Sequence, residues 1–178
     1  SFFINDRFSC MLCGLGFDAQ VAHDFSRQPK RGLATYIKQT LINFLHIRPW
    51  QFEITNKGKS FTASAFFISI ANSNQFGNQF TIAPKAKLQD GLLDIVVVKK
   101  MSRPGFLWSV LKQVRNGKID KFDDPAFDQK DILYFQTDRL IIHNPDLAPL
   151  HIDGDPSNTS KKFMIEIIPD AFKLIQPQ

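Results

Sequence analysis

Residues 50–70 read WQFEITNKGKSFTASAFFISI, and this stretch decides the fold. Trp50, Phe52 and Ile54 recur at every second position, the period of a strand with one buried face. Asn56-Lys57-Gly58-Lys59 is a turn signal, and residues 60–70 return as a longer strand rich in Phe and Ile. Two strands joined by so short a turn pair antiparallel.

The same pattern extends in both directions. Downstream, residues 92–99, 131–136, 138–143, 148–152, 162–168 and 171–176 are β-branched or aromatic-rich runs bounded by Gly, Pro, Asn or Asp. Upstream, CMLCGLGFD over residues 10–18 reads as a short buried strand running into a turn, and SFFINDRFSC before it as a strand already under way. Two segments have helical spacing instead. Over residues 32–47, Leu33, Tyr36, Ile37, Thr40, Leu41, Phe44 and Leu45 form one apolar stripe, and Pro49 follows as a stop. A second helix begins at Ser102 as N-cap, with Pro104 in its first turn and Gly117 at its end; Phe106, Leu107, Val110, Leu111 and Val114 form its stripe. Both stripes are expected to face the core. Many strands, two helices and no βαβ alternation predict a mainly β (α+β) fold, an antiparallel β-sandwich with two appended helices. No internal repeat, low-complexity tract or linker divides the chain.

Composition sets limits on function. The 178 residues suit one compact domain, and 18 Phe predict a thick aromatic core; packing alone accounts for them better than an apolar pocket left within it. A formal charge of +5 fits a polyanionic ligand such as a nucleotide, or an anionic membrane surface. The Lys and Arg are spread along the chain, which argues against nucleic acid as a partner. No run approaches the length of a membrane span, and the start lacks the order of a signal peptide. Cys10 and Cys13 form a lone C-x-x-C whose surroundings read as a strand, so buried structural thiols are favoured over a redox or metal pair. So few cysteines fit a cytosolic protein.

Three segments carry groups suited to chemistry. Residues 71–79 form a long loop rich in amide side chains. Asp90-Gly91, within the run Ala83–Asp94, is a strong turn former that reads first as a plain turn; such a turn can also aim a carboxylate and nearby carbonyls at one point, which suits a hard cation. His151-Ile152-Asp153-Gly154-Asp155-Pro156 sets two carboxylates around a Gly, either as a bare turn or as a device for presenting carboxylates to a metal–phosphate or a hydroxyl. Lys30 and Arg31 precede the first long helix, where cations and a helix N-terminus both favour anions; a solvated basic loop explains them equally. Asp18 either faces a cleft or ends its strand.

Gly14–Ala19 (GLGFDA), the order A-N-S…F-G…I-A-P-K-A-K-L-Q-D-G-L-L-D-I-V-V-V within Ala71–Val98, and I-D-G-D-P followed by I-E-I-I-P-D-A-F from Ile152 onward occur here in one chain. In combination they resemble the bacterial diacylglycerol kinase / sphingosine kinase-like lipid kinases, from about Phe2 to about Ile175. The resemblance implies an N-terminal α/β domain with a G-G-D-G-T nucleotide motif, a C-terminal β-sandwich, and an active site between them. Neither G-G-D-G-T nor a Walker A sequence occurs in this chain. The chain therefore reads as residues 1–178 of the second domain, inactive alone, with the nucleotide-binding domain as its missing partner.

The resemblance further implies ATP-dependent phosphorylation of a lipid hydroxyl, with Mg²⁺. Segment Lys87–Leu92 resembles a loop holding a structural Mg²⁺ through the Asp90 carboxylate and the Lys87 and Leu92 main-chain carbonyls. Asp153-Gly154-Asp155 resembles a D-G-E that supplies an acid/base carboxylate or a water-linked magnesium contact; Asp155 is one methylene shorter than the usual Glu. Lys30 and Arg31 match basic residues that approach the ATP phosphates. The expected location is cytoplasmic with peripheral attachment to a membrane, and a homodimer stays open. Two other readings remain: a NAD kinase-like enzyme with a similar two-domain plan, and a non-catalytic lipid-binding sandwich.

Overall fold

The computed structural model describes residues 1–30, 32–74, 83, 86–102, 132–169 and 171. Along them run β1 (Phe2–Ile4), β2 (Arg7–Ser9), β3 (Leu12–Gly16), α1 (Phe17–Ser26), α2 (Leu33–Leu45), β4 (Trp50–Asn56), β5 (Lys59–Ala71), β6 (Leu93–Lys99), β7 (Ile132–Thr137), β8 (Arg139–His143), β9 (Leu150–Ile152), β10 (Asp155–Ser157) and β11 (Lys162–Ile167). The described strand pairings are all antiparallel. They form a curled half-barrel carrying two helices, the fold class expected from the sequence.

The hairpin at residues 50–70 is the hub. Lys57 and Gly58 both have positive φ, 49° and 77°, the conformation that a two-residue turn needs to follow the strand twist. The first half of β5 pairs with β4, and its second half pairs with both β3 and β6. One long strand thus serves two sets of neighbours: β4-β8-β11-β1-β2 along one path, and β3-β9-β10 with β6-β7 along others.

The two sets are buried differently, and the sequence shows why. In β4 and β11 buried and exposed residues alternate, with Trp50, Phe52, Ile54, Phe163 and Ile165 inward and Gln51, Glu53, Lys162, Met164 and Glu166 outward. β3 is buried at all five positions because α1 packs over it. Its LCGLG run is continuous rather than alternating, as a strand covered on both faces requires. Among the described residues, Phe2, Phe17, Phe52, Phe66 and Phe163 are buried in one continuous core.

Four local readings are corrected. Residues 2–9 are a hairpin rather than one strand, turning at Asn5 with φ 51°. The strand expected over residues 10–18 stops at Gly16, and Phe17 opens α1, a helix that the sequence reading took for a turn. α1 has no side-chain N-cap, and Gly16 itself, at φ 103°, makes the bend. β10 is a further short strand, closing a hairpin with β9 through Asp153 and Gly154. The helix expected over residues 32–47 exists as α2, and Tyr36 and Phe44 of its stripe pack against the core, but Leu33, Ile37, Leu41 and Leu45 face solvent. The expected helix from Ser102 lies outside the described residues apart from its first, and the expected strand over 171–176 lies outside them apart from Ala171.

Candidate functional site

Strand register brings distant motifs to one end of the sheet. Leu12 pairs with Ala71, Ala71 with Asp94, and Cys13 with Ile152. The loops at residues 9–11, 72–74 and 86–92 and the Asp153-Gly154 turn therefore leave the sheet side by side. The loop that leads into the G-L-G strand meets the I-D-G-D turn there, and Ser9 and Asp153, which touch, are 144 positions apart in sequence.

Asp153 ties two of these loops together. Its carboxylate accepts the Ser9 hydroxyl at 2.9 Å and the N–H groups of Cys10, Met11 and Leu12 at 2.9–3.0 Å. Its own N–H donates to the Leu12 carbonyl at 2.8 Å. Burial pushes this carboxyl up, but the Cys10, Leu12 and Met11 amides and the Ser9 hydroxyl together hold it below its ordinary value. A carboxylate with a depressed folded pKa contributes stability that is present above its unfolded pKa and is lost as pH falls through the folded value. Asp153→Asn should cost about 1–2 kcal/mol at neutral pH and lose less than the parent on acidification below pH ~4. Thermal melts at both pH values check this, and equal acid losses would contradict it.

Behind the turn lies a buried His–Asp hydrogen bond. His151 on β9 is fully buried, and its Nε2 is 3.2 Å from Asp18 Oδ2 in the first turn of α1. The Gly154 N–H donates to His151 Nδ1 at 3.3 Å, so Nε2 carries the proton that meets Asp18. Gly14 leaves room for both: a Cβ there would overlap Asp18 Oδ2 and lie 2.5 Å from His151 Nε2. Gly16 is needed for a different reason, since a Cβ would meet the Phe66 carbonyl at 2.5 Å. The GLGFD run is thus one steric unit. Asp18 does not end a strand; it anchors α1 against the D-G-D turn. Tyr36 from α2 is also close enough to be affected, its hydroxyl pushed up to about 12 by burial and then by Asp18.

The remaining candidates are placed as follows. Asp155 is exposed on β10, at the edge of the sheet, paired with Ile152. Asp90 is exposed, and its Oδ1 accepts the Leu92 N–H at 3.0 Å, with Gly91 at φ 70° completing the turn. Lys87 is exposed in the same loop, and Leu92 is half-buried. Lys30 is exposed beyond the end of α1, with no described hydrogen bond or ion pair to the D-G-D turn, and Arg31 lies outside the described residues. Cys13 is buried within β3 and its thiol is pushed well up by burial, while Cys10 precedes the strand; both are free.

Two groups escaped the sequence reading. Asp94 is fully buried on β6 and accepts the Tyr134 hydroxyl and the Gln136 amide from β7. Asn72 is buried and donates to the Cys10 carbonyl at 3.1 Å, and its Oδ1 has no partner among the described residues. Only the acidic residue in an otherwise apolar strand, and the Asn opening an amide-rich loop, could have signalled them. Among the described residues, no group of three or more His, Cys, Asp or Glu could hold a metal. A groove of about 410 Å³ lies by Lys57, Gly58 and Arg139, at the far end of β5 from these loops, with Asp138 also on its rim.

The family described as "YegS C-terminal NAD kinase beta sandwich-like domain" matches residues 12–176. A "Probable lipid kinase YegS-like" protein of Shewanella frigidimarina is 31% identical over 175 residues, covering 97% of this chain and 53% of that protein. A diacylglycerol kinase of Bacillus subtilis is 21% identical over 154 residues, covering 85% of this chain and 48% of that protein. A crystal structure of a diacylglycerol kinase from Bacillus anthracis has the same fold, with a TM-score of 0.59 at 17% identity over 93% of this chain and 49% of that one. The chain spans about half the length of the curated relatives it matches. With the match running over residues 12–176, the chain belongs to the YegS C-terminal NAD kinase beta sandwich-like domain family.

Proposed function

We propose that this chain is the substrate-side domain of an ATP-dependent lipid kinase, completed by a nucleotide-binding domain outside the chain. The observation that carries the proposal is the convergence of the Asp153-Gly154-Asp155 turn and the Asp90 loop at one end of the sheet. The relatives named as lipid and diacylglycerol kinases support the same reading. An acceptor hydroxyl on a glycerolipid or sphingoid base attacks the γ-phosphorus; a new O–P bond forms as the bond to the ADP oxygen breaks. Asp155 takes the hydroxyl proton or orients a water beside it, and Asp153 holds the turn that presents it. Lys30 and Arg31 approach the nucleotide phosphates. Catalysis of this class is mostly positioning and charge neutralisation.

A hard cation fits the Asp90 loop in donor chemistry, since the Asp90 carboxylate and the Lys87 and Leu92 carbonyls are all oxygen ligands. The Leu92 N–H bond to Asp90 shapes this turn without any ion. Mg²⁺ held there would stabilise the loop, and Mg²⁺ accompanying the nucleotide would offset phosphate charge. Excess Mg²⁺ should therefore raise the melting temperature of the full-length protein relative to EDTA, and Asp90→Ala should remove the difference. Identical melts in EDTA and Mg²⁺ would contradict this site.

The function is tested by incubating the full-length protein with labelled ATP and separate acceptors: a diacylglycerol, a sphingoid base and NAD. Label in a lipid is expected, and the isolated 178-residue chain should transfer none. Label in NAD alone would favour the NAD kinase-like reading, and no transfer to any acceptor would favour a non-catalytic lipid-binding module. Peripheral membrane attachment belongs to the same proposal, because the acceptor resides in a bilayer. Among the described residues, no helix is long and apolar enough to cross a membrane.

A further inference from the structure

Asp155 has no described side-chain hydrogen bond, so its place in the proposed reaction is set by the backbone of the turn before it. Asp153 fixes one side of that turn through the loop at residues 9–12. The other side rests on His151. Its Nδ1 accepts the N–H of Gly154, the residue between the two carboxylates, at 3.3 Å. A neutral imidazole accepts at Nδ1 only in the tautomer protonated at Nε2.

Asp18 selects that tautomer. Both of its oxygens meet donors: Oδ1 accepts the Ala19 N–H at 2.8 Å, and Oδ2 lies 3.2 Å from His151 Nε2. The side chains are 10% exposed for Asp18 and 0% for His151, so water does not compete for these contacts. An acceptor at Nε2 holds the proton there and leaves Nδ1 bare for Gly154. The other tautomer would set an Nδ1–H against the Gly154 N–H, two buried donors with no acceptor between them. The His23 ring ties α1 to β9 a second time, its Nε2 2.9 Å from the Leu150 carbonyl. Asp18 is therefore held in place relative to the ring that it orients.

We propose that Asp18 and His151 are positioning residues for the Asp155 carboxylate: Asp18 locks the Nε2–H tautomer of His151, and the bare Nδ1 holds the Gly154 amide that orients the next residue. Both are buried, and both act through the turn rather than on the acceptor. The effect on rate rests on the proposed function; the tautomer and the hold on Gly154 do not, so the two can fail separately.

The test uses the full-length protein, and Asp18→Asn is the sharpest variant. It keeps the volume, but a carboxamide has one acceptor oxygen where the carboxylate has two. With that oxygen on the Ala19 N–H, an NH₂ faces Nε2, and the imidazole proton moves to Nδ1. The kcat should fall by up to about a hundredfold, the scale of a misplaced catalytic group, with KM little changed. His151→Leu, which offers Gly154 no acceptor, should fall as far. His151→Asn should retain most of the rate, because its Oδ1 stands where Nδ1 stood and needs no tautomer. In an Asp155→Asn background neither Asp18→Asn nor His151→Leu should slow the enzyme further, since the carboxylate that they position is gone.

Two readouts need no turnover. The ¹⁵N signals of the ring, assigned by those that His151→Asn removes, should show Nε2 protonated in the parent and Nδ1 protonated in Asp18→Asn. The Gly154 amide should exchange with deuterium faster in Asp18→Asn than in the parent. A proton on Nδ1 in the parent, or equal Gly154 exchange in the two proteins, overturns the proposal. Both are read even in a protein that transfers no phosphate, an outcome that counts against the proposed function instead. A full rate in Asp18→Asn overturns the proposal as well, and so does a loss confined to KM, since Asp18 would then contact the acceptor. Should Asp18→Asn not fold, His151→Leu and His151→Asn carry the test, and equal rates in those two overturn it.

Discussion

Replacing Asp155 by Asn in the full-length protein should lower kcat by about 10²–10⁴-fold, the usual worth of a general acid–base group. The fold should be unaffected. Asp155 is exposed on the edge strand β10 and has no described side-chain hydrogen bond to lose. A stability change below about 1 kcal/mol is expected for such a position. Asp155→Glu restores the length of the residue that the resembled family uses, and should retain or raise the rate if the carboxylate reaches the reacting hydroxyl. Lipid phosphorylation from labelled ATP is measured with circular dichroism as the folding control. Reading kcat and KM separately matters, because a loss confined to KM would indicate binding rather than proton transfer. A fully active Asp155→Asn enzyme would remove Asp155 from the mechanism. Asp153, held by four donors, would then be the remaining carboxylate of the turn.

Gly14→Ala should destabilise the protein strongly, by about 3–5 kcal/mol. The added Cβ would overlap Asp18 Oδ2 and lie 2.8 Å from Asp18 Cγ and 2.5 Å from His151 Nε2. Neither side chain has a long flexible end to swing away. Asp18 is also held by the Ala19 N–H at 2.8 Å, and His151 by the Gly154 N–H. Separating the pair leaves a carboxylate without its imidazole partner in a buried setting, which is the costly outcome. Gly154→Ala provides the contrast. Its φ is 90°, but nothing lies within 4 Å of the added Cβ. Backbone strain alone should cost it about 1–2 kcal/mol. Urea titration of both variants measures the difference. Combining Gly14→Ala with Asp18→Ala should cost less than the sum of the two, because the oxygen that the methyl strikes is gone. Strict additivity would show that the strain lies elsewhere.

How much of this was legible depended on the range of the interaction. The hairpin over residues 50–70 was readable because its alternation, its turn residues and its pairing are all local, and Lys57-Gly58 adopts the turn that its sequence demands. The end of the strand at Gly16 was harder. α1 is short, lacks a side-chain cap, and starts where a close approach to the Phe66 carbonyl forces a glycine, a constraint set by a residue 50 positions away. The D-G-D turn was visible as a turn. That one of its carboxylates is taken up by the loop over residues 9–12 was not, since the donors are three backbone amides and a serine that carry no signature.

By itself the sequence determined the antiparallel β class, the central hairpin and the order of the three family motifs, because alternation and turn chemistry act between neighbours along the chain. The tertiary structure alone decided that Asp18 meets His151 across 133 positions, and that α2 sets Tyr36, Gln39, Asn43 and Phe44 inward and its leucines outward. A helical stripe shows that two faces differ. Which face is covered depends on what the rest of the chain offers, and α1 offers Asp24 and Phe25, an acceptor for Asn43 and a ring for Tyr36.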